Sequence, residues 1–243
     1  MVVYLKCSSN NRADTVASLF LEATREYCWP SRVRTDKGGE NAEVARLMIE
    51  HRGEGRGSII QGSSVHNQRI ERLWRDSRKM VVEHFRRVFY FLEEQHLLDL
   101  NSETDLFALH HIYIPRINQN LSMFKSSWNN HKLSSENNRT PNQLYILGML
   151  ALHGSDHTAV KDFFEEGNVN PVEYGVSIPD VAEPSVENIN DVVVPEVITG
   201  MSENCLAHIN AEINPLERDG NHGINLYIKT KNIIQQNMVR DPR

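Results

Sequence analysis

Residues 2–7 (VVYLKC) form a β-branched and aromatic run, which predicts a strand. The polar SSNN that follows offers helix N-cap residues, and Ala13, Val16, Leu19, Phe20 and Ala23 then recur at helical spacing to about Tyr27. Pro30 breaks that pattern. SRVRTD (31–36) reads as a short strand ending at Asp36, Gly38-Gly39 as a loop, and residues 41–51 as a second helix. Gly53, Gly55 and Gly57 lead into a third short strand at 58–62. From about Val65 a single long helical pattern runs to about Leu98, with Ile70, Leu73, Trp74, Val81, Phe85, Val88, Phe89 and Leu92 marking its buried side. Residues 104–128 and 140–152 add helices, the second opened by Thr140-Pro141, a cap residue and a first-turn proline. Strands alternating with helices over the first 150 residues predict an α/β domain.

The pattern then changes. Residues 165–200 hold four prolines and many acids with no sustained helical period, and read as an extended linker. A short element returns at 201–214, NPLERDG (214–220) makes a turn, and 223–236 forms a final helix or strand. The chain thus divides into a domain at 1–152, an acidic proline-containing linker at 153–200 and a short C-terminal segment at 201–243. Charge follows this division. The net −6 of the 243 residues hides a first part (1–150) with 20 Lys and Arg against 17 Asp and Glu, net +3. The remainder carries 6 against 15, net −9. A hydrophobic content of 40% is enough for a core and excludes wholesale disorder. The chain has no apolar run approaching the ~18 residues of a membrane span, and no basic leader with a long apolar stretch. Three scattered cysteines, Cys7, Cys28 and Cys205, suggest neither a disulfide framework nor a zinc module. The expected compartment is nuclear or cytoplasmic, with no membrane and no small-molecule cofactor.

Two carboxylates stand out. Asp36 ends a predicted strand at a glycine loop, where it can face a cleft, and Glu71 lies in the first turns of the long helix. Between them are 34 residues, enough for a helix, a strand and a loop that bring the chain back to its starting side. Such oxygen ligands suit Mg²⁺ or Mn²⁺, and paired metals about 4 Å apart support phosphodiester chemistry. An Asp before Gly is also an ordinary turn residue, and an early-helix Glu an ordinary dipole partner. Around Glu71, HNQRIERLWRD (66–76) places Asn67, Glu71 and Arg75 on one helix face. Arg69, Arg72, Arg78, Lys79, Arg86 and Arg87 make residues 69–87 seven-to-three basic over acidic. That stripe suits a polyanion's phosphates; the plainer alternative is a solvated face with a Glu71–Arg75 pair.

RVRTDKGGEN (32–41) and SVHNQRIERLWRD (64–76) resemble the segments of the integrase catalytic core that carry its second metal-binding Asp and its metal-binding Glu. The likeness extends to retroviral and retrotransposon integrases, and more closely to transposon-derived integrase-core-domain proteins of animals. SWNNH (127–131) and NRTPNQLYILGML (138–150) resemble the helices that close that core, so the likeness covers about 1–150. Residues 212–228 resemble those proteins' C-terminal segment more weakly. The resemblance implies a ribonuclease H-like fold, a mixed sheet flanked by helices, here lacking the first two strands and carrying extra C-terminal helices and an acidic tail. It implies metal-dependent DNA strand transfer or 3′-end processing, with Asp36 and Glu71 as catalytic metal ligands for Mg²⁺ or Mn²⁺. Asn67, Arg69, Arg72, Arg75 and Lys79 would lie near the DNA, and a homo-oligomer is left open.

The family needs three carboxylates, and VVYLKC matches its third strand, after the strand bearing the first Asp. Asp14 opens a helix and is a poor replacement, and Lys37 stands where retroviral relatives usually carry Asn. The expectation is therefore a chain impaired in strand transfer unless an upstream Asp completes the triad. The alternatives are a non-enzymatic DNA- or protein-interaction module domesticated from a mobile element, or a truncated product that does not fold. Among other residues, His110-His111 read as a packed or partly exposed pair, and no histidine pair matches the His-His…Cys-Cys module that precedes retroviral cores. Trp74 and Trp128 read as core anchors, with base-stacking platforms as the alternative, and the glycines at 53, 55 and 57 as a flexible connection, not a phosphate loop.

Overall fold

The computed structural model describes residues 1–36, 38–62, 68–165 and 202–240. Two compact units emerge, each assembled from non-contiguous segments: Met1–Leu5, Asn10–Glu71 and Lys125–Asp191 in the first, Lys6–Ser9, Arg72–Phe124 and Val192–Arg243 in the second.

The first unit is built on a strand–helix–strand crossover. β1 (Val33–Thr35) runs parallel to β2 (Ile59–Gln61), with Val33 opposite Ile59 and Thr35 opposite Gln61. A parallel pair needs a crossover, and the 3₁₀ turn Gly39–Asn41 followed by α2 (Ala42–Arg52) supplies it. α2 buries Val44 and Met48 against Phe20 of α1 (Ala13–Tyr27), with Val16, Trp29, Val33, Leu47 and Ile59 packed around them. This core fixes the end of β1, and with it Asp36. α6 (Pro141–Ala151) begins where Thr140-Pro141 predicts. The Thr140 hydroxyl accepts from the Gln143 N–H at 3.2 Å, while the Gln143 side chain accepts from the Thr140 N–H at 3.0 Å. α7 (Thr158–Glu165) occupies the start of the segment read as linker, and buries Val160 and Phe163. Arg52 of α2 pairs with Asp162 of α7 at 2.5 Å and donates to the carbonyls of Trp29 and Pro30.

From Arg72 onward the long helical rod belongs to the second unit. It consists of α3 (Gln68–Ser77), a π turn (Arg78–Val82) and α4 (Glu83–Glu94), and ends at the Gln95-His96 turn, short of the expected Leu98. α5 spans Glu103–Asn130, and its residues to Phe124 belong to this unit. The C-terminal helices α8 (Glu203–Glu212) and α9 (Ile224–Arg240) complete the unit, the latter resolving residues 223–236 as helix. Tyr113 of α5 packs edge-on to Phe85 and Phe89 and lies near Tyr227 of α9. Lys231 of α9 pairs with the buried Asp105 of α5 at 2.6 Å.

Two expectations are corrected. Residues 2–7 are not a strand: their backbone groups pair with side chains of α5 instead of a neighbouring chain. The Val2 N–H donates to Asn129 Oδ1 at 2.7 Å, and Asn129 Nδ2 donates back to the Val2 carbonyl at 2.8 Å. Lys125 Nζ donates to the Val3 carbonyl at 2.7 Å. Asn118 engages both backbone groups of Cys7 in the same way, at 2.7 and 3.0 Å. In consequence the sheet has two strands, both parallel, among the described residues, where a mixed and larger sheet was expected. Residues 166–201, most of the predicted linker, lie outside the described residues.

Candidate functional site

Asp36 is the residue after β1, and is exposed. Its Oδ1 accepts from Asn41 Nδ2 at 2.9 Å and from the Gly38 N–H at 3.4 Å, so the carboxylate closes the turn into α2. Glu71 lies in the first turn of α3 and is also exposed. Among the described residues, no group of three or more His, Cys, Asp or Glu side chains is placed to hold a metal ion. Asn67 and Lys37 lie outside the described residues, as does the side chain of Arg69.

The basic residues are better resolved. Arg72, Arg75, Arg78 and Lys79 are all exposed on α3 and the π turn. Among the described residues none of the four has an ionic partner, and the Glu71–Arg75 pair is not made; the rod's ion pairs are Arg86 and Arg87 with Glu83, at 3.7 and 3.8 Å. Arg86 also sits over the Tyr90 ring, 5.2 Å from its centroid, and donates to its hydroxyl at 3.1 Å. Four unpaired cations within eight residues form a concentrated positive surface, suited to a polyanion.

Trp74 corrects the sequence reading. It is 56% exposed, and Ile70 is 51% exposed, whereas Val81, Phe85, Val88 and Leu92 are buried as expected. The buried side starts at Ser77, which is 1% exposed and donates its hydroxyl to the Trp74 carbonyl at 3.1 Å. A serine at the start of the buried stripe carries no hydrophobic signal, so the helical wheel assigns that side to Ile70 and Trp74 instead. Tyr90 is 50% exposed. The steps of four from Ser77 to Val81 to Phe85 were the available clue, because they drift around a plain α-helix and stay aligned only with an extra residue.

His110 and His111 are half-buried on α5, with His111 stacked on Phe107 at 5.9 Å, which matches a packed pair. Trp128 is half-buried, 5.3 Å from the His131 ring. No helix among the described residues is long and apolar enough to cross a membrane.

Comparison with known families matches residues 1–159 to the integrase core domain. Comparisons with curated proteins and with solved structures give no match.

Proposed function

From a chain that belongs to the integrase core-domain family, and so shares its relation to DNA integration and its ribonuclease H-like α/β class, we propose a nucleic-acid-binding protein that uses the α3 rod as its DNA-binding face. The observation that carries this reading is the exposed set Arg72, Arg75, Arg78 and Lys79, without an ionic partner among the described residues, on α3 and the π turn that follows it. Side chains without acidic partners keep their full charge available to phosphates, and each contact made releases condensed counterions from DNA. Asn67 and the side chain of Arg69 lie outside the described residues, and only the sequence assigns them to DNA.

Asp36 and Glu71 are the residues assigned to a catalytic metal by the family resemblance. With no group of three or more His, Cys, Asp or Glu side chains placed to hold a metal among the described residues, we propose that the chain binds DNA without joining strands. Mg²⁺ or Mn²⁺ enters this reading only when a third carboxylate is supplied. A labelled DNA duplex, the purified 243-residue chain and either metal ion test both parts at once. The expected result is a retained complex with no joined or trimmed product. A metal-dependent product abolished by Glu71→Gln would overturn the non-catalytic part, and loss of binding would overturn the whole.

The second reading, a protein-interaction module, draws on the net −9 of residues 151–243. The +3 of residues 1–150 and its unpaired arginines favour the DNA reading for the core.

A further inference from the structure

The rod made by α3, the π turn and α4 presents more than charge. Its buried stripe is Ser77, Val81, Phe85, Val88 and Leu92, none more than 7% exposed. In a plain α-helix, each step of four residues moves a stripe about 40° around the axis. The π turn at Arg78–Val82 takes up one extra residue, which holds Ser77, Val81 and Phe85 on one side. The same correction gathers the polar side chains. Trp74, Arg75, Arg78 and Lys79 upstream, and Arg86 and Tyr90 downstream, come onto the solvent face.

Trp74 is the unusual member. An indole is among the largest apolar surfaces a side chain can present, and burial normally recovers its hydration cost. Here it stands 56% exposed with no aromatic partner among the described residues, and Arg72, Arg75, Arg78 and Lys79, exposed and without an ionic partner among the described residues, lie within five residues of it in the chain. A duplex needs only the cations, because its bases are stacked on one another and show edges in the grooves. A ligand that uses the cations and the flat indole together must carry phosphates and open base faces on one chain. Single-stranded nucleic acid has both, since every base has a π face that an aromatic ring can cover. Tyr90, with the Arg86 guanidinium over its ring, places an aromatic–cation pair 16 residues further on, about 24 Å along the rod at the usual helical rise. That span accommodates several nucleotides.

We propose that this face binds single-stranded DNA, with an unpaired base stacked on the Trp74 indole and the backbone phosphates held by Arg75, Arg78 and Lys79. All of these residues lie in the second unit. The inference rests on the DNA-binding reading above and deepens it by naming the form of nucleic acid.

Tryptophan fluorescence and anisotropy, followed in one titration with labelled oligo-thymidine and with a duplex of equal length, separate the two claims. Trp29 and Trp128 also emit, so Trp74→Phe sets the baseline. Oligo-thymidine is expected to quench the wild-type chain, and Trp74→Phe to lose that quenching. Trp74→Ala should weaken single-strand binding about ten-fold while changing duplex binding by less than about two-fold. Circular dichroism melts of both variants confirm that they fold. Duplex binding with no single-strand quenching, or quenching that survives in Trp74→Phe, would overturn the stacking proposal and leave the DNA-binding reading standing. Failure of both nucleic acids to bind would remove both. A Trp74→Ala effect equal on single strand and duplex would likewise overturn base stacking.

Discussion

Asn129 does for Val2 what a neighbouring strand would have done. Its amide offers a donor and an acceptor in the spacing of a peptide unit, and both backbone groups of Val2 are satisfied by it. Both residues are buried, with Asn129 4% exposed, so water does not replace the pair when it is lost. Asn129→Ala should therefore cost about 1–3 kcal/mol, the penalty for leaving buried polar groups unmade. Urea denaturation of the variant measures this, and an unchanged midpoint would show that residues 1–5 are not held by α5. The β-branched character of VVYLKC was legible in the sequence and predicts a strand, which the structure does not form. The identity of its partner was not, because one asparagine among the many in residues 117–138 carries no sign that it pairs with a segment more than a hundred residues away.

Elements with local signals were read close to their bounds. Thr140-Pro141 and the capping glutamine specify the start of α6 without reference to the rest of the chain. α1 and the crossover β1–α2–β2 follow from apolar spacing and from Pro30 and the glycines around them. The long rod was legible as a helix but not in its facing, since the π turn shifts which residues are buried. α5 shows the same split between existence and environment. His110 and His111 sit on it half-buried, and burial lowers the proton affinity of both below the ordinary histidine range. His110 Nδ1 and His111 Nε2 are buried without a hydrogen-bond partner among the described residues. A histidine whose folded pKa is lowered binds its proton more readily in the unfolded chain, so its contribution is intact above the unfolded value of about 6.5 and is lost as pH falls below it. The melting temperature of the chain should consequently drop between about pH 7 and pH 5.5, before carboxylates titrate. The double variant His110→Gln/His111→Gln should flatten that profile. A wild-type melting temperature independent of pH across this window would contradict the assignment.

At the scale of the whole molecule, the division of charge and the division of structure do not coincide. The net −6 separates by sequence into +3 and −9, yet the second unit combines Arg72–Phe124 with the C-terminal helices. Asp105–Lys231 and the bond from the Tyr227 hydroxyl to the Leu97 carbonyl tie α9 to the middle of the chain. Burial alone would raise the Asp105 carboxyl, but the Lys231 ammonium, the Asp99 N–H and the Ser102 hydroxyl together hold it below its ordinary value. The acidic C-terminal part thus contributes cations where the fold needs them, which a sum over the segment conceals. The family relation was legible from two short segments, and it is shown over residues 1–159. The exposed face of the rod was only half legible: its charge could be counted, whereas the exposure of Trp74 depended on a turn that no single residue marks.

The most direct measurement is the salt dependence of DNA affinity for the intact chain and for Arg72→Gln/Arg75→Gln/Arg78→Gln/Lys79→Gln. Binding through the rod predicts a logarithmic affinity that falls linearly with the logarithm of salt concentration. Each phosphate contact removed should reduce the slope on duplex DNA by about 0.9. A slope near zero in the wild-type chain, or the same slope in the variant, would contradict a nucleic-acid-binding face on this helix.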